Sequence, residues 1–163
     1  EPDIAKTKGG SYGTDVHTAI ENRDPLYPES RAAISFLEDN NLATIATEFY
    51  VYSAKHEYVG SIDFIGQVPG TNVLLIVDWK TGFVDEGCAL QIGAYAMAFK
   101  EMYPDLKVDG AIVKLLVEKD KEATYEVLPV NLPYAQAQFK IARQLHKTRR
   151  EKGKDGKRKA LWR

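Results

Sequence analysis

Hydrophobic and polar positions alternate with two periods along the chain. Ala32, Ala33, Phe36 and Leu37 fall on one side at helical spacing, which predicts a helix over Ser30–Asn40. Thr14–Asn22 predicts a shorter one, capped by Thr14 or Asp15 and ended by Asp24-Pro25; ahead of it, Gly9 and Gly10 predict a loop over Glu1–Tyr12. Leu42–Ala54 and Glu57–Gly66 are β-rich runs about a Lys55-His56 turn, the pattern of a hairpin. Val73–Lys80 opens with a continuous apolar run, as a strand buried on both faces does. Gly87–Met102 is apolar nearly all round and predicts an interior helix ended by Pro104. Gly110–Val117 and Ala123–Val130 predict two further strands. Asn131 and Pro133 start a last helix with a Tyr134, Gln138, Ile141, Leu145 stripe. The order predicts an α/β fold, one domain over residues 1–150, with a basic tail over 151–163.

Composition narrows the class. Of 163 residues, 44% are hydrophobic and 28% charged, which excludes wholesale disorder and a collagen-like fibre. The Val73–Val77 run is far too short to cross a bilayer, and no membrane partner is expected. A single cysteine, Cys88, excludes a disulfide framework and any four-cysteine metal site. With Glu1 rather than methionine first and no signal peptide, the expectation is a fragment or processed chain in a reducing, intracellular compartment: the cytoplasm of a bacterium or phage-infected host, or a DNA-containing organelle.

The net charge of −1 conceals an asymmetry. Lys140–Arg163 carries eleven basic and two acidic side chains, and the remainder has a net charge of −10. An acidic body with a basic end suits cations in one place and phosphates in another; a solvated terminus is the plainer reading.

Two acids interrupt apolar strands. Asp63 sits within Tyr58–Ile65, and Asp78 closes the Val73–Val77 run. Burying an ionised carboxylate is costly without a compensating cation or donors. Strand alternation puts Asp78 and Lys80 on one face and Trp79 on the other. Such carboxylates can hold a divalent cation, and the lysine can orient water or offset phosphate charge; a simple Asp78–Lys80 salt bridge is the alternative. His17 lies on the first helix. Gln91 and Tyr95 share a helix face at i, i+4 spacing and can face the end of the third strand. Glu48 alternates with Phe49 and is either a site residue or solvent-facing.

Together these residues resemble the PD-(D/E)xK nuclease superfamily, in its RecB-like and Cas4-like exonuclease branch. The motifs are His17, Gly60-Ser61-Ile62-Asp63, Asp78-Trp79-Lys80 and Gln91-Ile92-Gly93-Ala94-Tyr95, spanning about half the chain. The resemblance implies a restriction-endonuclease-like core, a central mixed β-sheet of about five strands flanked by helices. It implies that His17, Asp63, Asp78 and the main-chain carbonyl of Trp79 ligate one or two Mg²⁺ or Mn²⁺ ions, with Glu48 as an outer-shell or second-metal ligand. Lys80 would position the attacking water and offset charge on the scissile phosphate, and Gln91 and Tyr95 would support the site or contact the DNA backbone. The lone cysteine departs from the branch members that carry an iron–sulfur cluster, so no cluster is expected.

The function expected from this resemblance is a metal-dependent DNA nuclease, an exonuclease preferring single-stranded ends. Arg143, Lys147, Arg149 and Arg150 are the expected nucleic-acid contacts, and Tyr12, Trp79 and Tyr95 are candidates for stacking on bases. A structure-specific endonuclease on the same core and a catalytically silent DNA-binding or assembly module are the alternatives. A zinc hydrolase using His17 and Glu21 is more distant, because further nitrogen or sulfur ligands are not evident.

Overall fold

A computed structural model describes the backbone of residues 4–154 and the side chains of residues 11–150. Its elements, in chain order, are α1 (Ile4–Glu21), α2 (Pro28–Asp39), β1 (Ala43–Ser53), β2 (Tyr58–Gln67), β3 (Val73–Lys80), α3 (Glu86–Met102), β4 (Lys107–Leu116), β5 (Thr124–Val130) and α4 (Leu132–Lys154). The fold is α/β: one five-stranded mixed sheet, ordered β1-β2-β3-β4-β5, flanked by the four helices. All neighbours pair antiparallel except β3 and β4, which run parallel across the α3 crossover. Among the described residues, no helix is long and apolar enough to cross a membrane.

Strand alternation divides the core in two. Val77, Trp79, Val113 and Leu115 face Val16, Ile20, Phe36 and Leu37 of α1 and α2. Leu74, Ile76 and Ile112 face Ile92, Ala96 and Phe99 of α3. The run Val73–Val77 is apolar throughout because both of its faces are covered.

Four expectations about the elements need correction. The loop over Glu1–Tyr12 is mostly helix: α1 begins at Ile4, runs through Gly9 and Gly10, and takes Thr14 and Asp15 into its interior. Glycine costs a helix about 1 kcal/mol but does not forbid it, and the buried Val16, Ala19 and Ile20 anchor the turns that follow. The helix expected from Ser30 starts at Pro28, whose fixed φ suits the first helical position. The Tyr134, Gln138, Ile141, Leu145 stripe does not pack inward. Tyr134, Ile141 and Leu145 are exposed, while Ala135 is buried and Phe139 stacks edge-on against Tyr58. Ala135 is small because α4 crosses α3 at Gly93, where an added Cβ would stand 2.8 Å from the Cβ of Ala135. Small residues at a close crossing carry little hydrophobic signal. Helix α4 also continues through 151–154 of the expected tail; residues 155–163 lie outside the described residues.

Candidate metal centre

The site forms where β2 and β3 separate. Their register ends at Phe64 opposite Val77. One residue on, Oδ2 of Asp63 accepts the backbone N–H of Trp79 at 2.9 Å. The carboxylate thus satisfies a donor that the ladder has released.

Alternation slips at this point on both strands of the hairpin. Ile62 and Ile65 both belong to the cluster against α3, whereas Phe64 belongs to the other. On β1, Ala46 and Phe49 both pack on the α3 side. Between them, Glu48 takes a positive φ of 46°, an uncommon conformation for a residue with a Cβ. Ser61 Oγ donates to Glu48 Oε2 at 3.3 Å. The slip brings Glu48 and Asp63 to one imidazole: His17 Nδ1 lies 3.5 Å from Glu48 Oε1 and 3.9 Å from Asp63 Oδ1. One donor atom from each of the three falls within 4.8 Å of the others.

Asp78 and Lys80 share a face, with Lys80 Nζ 2.7 Å from Asp78 Oδ2. That contact is a close ion pair, and the buried Oδ2 has no partner other than Lys80 among the described residues. Lys80 Nζ also donates to Gln91 Oε1 at 3.5 Å, and Gln91 Nε2 donates to the Tyr95 hydroxyl at 2.5 Å. The i, i+4 pair on α3 therefore reaches the end of β3. Tyr95 lies over Gly60, where an added Cβ would stand 2.4 Å from Cε1 of the ring. The glycine three residues before Asp63 is there for that close approach.

The electrostatics follow from burial. Desolvation, then the negative charge of Asp78, push Asp63 up to about 6, against the pull of His17 and the Trp79 N–H. Burial also raises Asp78, although Lys80 opposes it. Burial disfavours the Lys80 ammonium, but Asp78 outweighs it and holds Lys80 above the usual lysine range. These are carboxylates that lack sufficient positive charge.

A divalent cation suits this donor set. Carboxylate oxygens take hard divalent ions such as Mg²⁺ and Mn²⁺, and an imidazole nitrogen favours a first-row transition ion. Neighbouring and opposite ligands of an octahedron with ~2.1 Å bonds stand ~3 Å and ~4.2 Å apart, close to the 3.5 Å and 3.9 Å separations about His17. Asp78 Oδ2 is already paired with the Lys80 ammonium, so a cation beside it would share that carboxylate with Lys80. Glu21, the other residue of the zinc alternative, points elsewhere: its Oε1 accepts from Thr47 Oγ1 at 3.1 Å.

Other expected contacts are engaged in structure. Trp79 is buried with its ring edge-on to Phe36, so it cannot stack on a base. Tyr12 packs edge-on to Tyr27 and donates to Glu29. Tyr95 is half-buried over Gly60. Arg143 donates to the carbonyls of His56 and Glu57, and Lys147 pairs with Glu57, so both hold the β1–β2 turn. Arg149 and Arg150 are exposed. Ser61, which holds Glu48, carried no signal in the sequence beyond its place in the glycine-to-aspartate motif.

No family model matches the chain, and no curated protein matches it significantly.

Proposed function

We propose that this chain is a metal-dependent nuclease that hydrolyses phosphodiester bonds in DNA, acting as an exonuclease on single-stranded ends. One observation carries the reading: the Asp63 carboxylate links the His17–Glu48 group through one oxygen and the end of β3 through the other. This sets a three-donor cluster beside the Asp78–Lys80 pair. His17, Asp63 and Asp78 would hold Mg²⁺ or Mn²⁺, with Glu48 and the Trp79 carbonyl as further oxygen donors. When bound, such a cation stabilises charge on the phosphate and lowers the pKa of coordinated water.

The residues around it have separate tasks. Lys80 keeps its proton, because Asp78 raises its pKa, so it serves as a donor and a positive charge rather than as a base. Gln91 accepts from the ammonium and is itself braced by Tyr95. Glu48 is held by Ser61 and faces the imidazole of His17.

The test is digestion of end-labelled single strands, blocked at either the 5′ or the 3′ end, with Mg²⁺, Mn²⁺ or EDTA. Metal-dependent release of nucleotides from one end is the expected result. Cutting of circular single strands would assign the endonuclease alternative. Absence of both cleavage and calorimetric Mn²⁺ binding would assign the silent module.

A further inference from the structure

The hairpin that supplies Glu48 and Asp63 carries a second feature on its outer face. Tyr50 is 79% exposed, Tyr52 57% and Val59 81%. Tyr50 lies directly opposite Ser61, and Tyr52 opposite Val59. Residues directly opposite in an antiparallel pair share a face, as do residues i and i+2. These four side chains therefore form one strip, facing away from Val51 and Phe49, which pack toward α3. The strip is continuous with the carboxylate cluster, since Ser61 Oγ donates to Glu48. Among the described residues, neither phenol makes a hydrogen bond or ring contact. Exposed aromatics on an edge strand are a liability unless something binds them.

We propose that this strip binds an unstacked single strand of nucleic acid, with Tyr50 and Tyr52 as successive base platforms leading away from the metal centre. The assignment rests on the nuclease reading for what lies at one end of the strip. Three observations favour this occupant. Two ring platforms at i and i+2 stand ~7 Å apart along a strand, about twice the 3.4 Å rise between stacked bases. They match bases that have come apart, not a duplex. The far end of the strip is the β1–β2 turn, where Lys55 is exposed and Arg143, bonded only to main-chain carbonyls, keeps its charge, while Lys147 is paired with Glu57. Arg149 and Arg150 are exposed further along the same helix, so basic side chains outnumber acidic ones toward this end of the strip. Finally, tyrosine stacks on any base, which suits a nuclease without sequence preference.

The experiment is fluorescence anisotropy with a labelled oligothymidine, with Ca²⁺ present to neutralise the carboxylates and the oligonucleotide checked for integrity. Wild type is compared with Tyr50→Ala/Tyr52→Ala and Tyr50→Phe/Tyr52→Phe. The alanine pair is expected to lose at least about tenfold in affinity. The phenylalanine pair is expected to keep it. The slope of affinity against salt stays unchanged, because no phosphate contact is removed. Wild-type affinity in the alanine pair, or no affinity in the wild type, overturns the proposal. So does a wild-type dimer by sedimentation velocity that the alanine pair abolishes, which would make the strip a contact between two copies of the chain. The nuclease reading fails separately: wild type that binds the oligonucleotide through the tyrosines but never cleaves it sinks that reading and leaves the strip standing. An unchanged melting temperature and far-UV circular dichroism spectrum of the alanine pair show that the fold is undisturbed.

Discussion

Asp63 and Trp79 are joined by a bond from a backbone N–H to a carboxylate, 2.9 Å long, at the point where the ladder between β2 and β3 stops. The same carboxylate faces His17 through its other oxygen. One side chain thus ends a sheet pairing and joins the candidate metal cluster. Its two roles are separable by substitution.

Asp63→Asn keeps an oxygen for the Trp79 N–H and removes the charge. In EDTA the variant is expected to be at least as stable as wild type in urea unfolding, and to lose cleavage by at least about a hundredfold. Asp63→Ala leaves the N–H unpaired and is expected to cost a further ~1–3 kcal/mol. Equal stability of the two variants would contradict the structural role.

Lys80→Ala removes the cation beside the buried Asp78. Breaking a fully buried pair costs about 3–5 kcal/mol, and the part-exposed lysine puts this one at the lower end. Cleavage is expected to vanish. Mn²⁺ is expected to raise the melting temperature of the variant more than that of wild type, because a bound cation replaces the lost ammonium. An equal rise in both proteins would show that the ion does not reach Asp78.

The pH dependence of the metal-free protein follows from Asp63. Its folded pKa is raised from 3.8 to about 6, so the folded state binds more protons than the unfolded chain between those values. Stability in EDTA is expected to rise as the pH falls from about 6 toward 4, with a slope of at most ~1.4 kcal/mol per pH unit from this group. The contribution is lost as the pH rises through 6. Asp63→Asn is expected to flatten this part of the curve, and an unchanged slope would refute the assignment.

Gly60→Ala drives a methyl group into the Tyr95 ring. A loss of about 1–3 kcal/mol is expected from the overpacking, with weaker cleavage as Gln91 loses its brace. Combining it with Tyr95→Ala should cost less than the sum of the single changes, because the second removes the obstruction. Additive losses in a double-mutant cycle would place the damage elsewhere.

Much of the fold was legible because it rests on local periodicity. The continuous apolar run of β3, the apolar α3 and the two-period hairpin each name their element. The pairing of Asp78 with Lys80, and of Gln91 with Tyr95, follows from i, i+2 and i, i+4 geometry alone. The helix through Gly9 and Gly10 was not legible, because glycine weakens a helix without forbidding it. The packing face of α4 was hidden because Ala135 and Gly93 meet through their smallness. Arg143 and Lys147 read as free charges, and only the position of the β1–β2 turn engages them.

The division at the candidate site is of the same kind. The sequence by itself determined which acids sit in apolar strands and so need compensation, since an ionised carboxylate among hydrophobes is costly wherever the chain goes. Tertiary structure decided which of them meet. Simple alternation does not bring Glu48, Asp63 and His17 together; the left-handed backbone at Glu48, the slipped alternation at Asp63 and the docking of α1 do. Those depend on contacts between residues far apart in the chain, and a period of two or 3.6 holds no information about them.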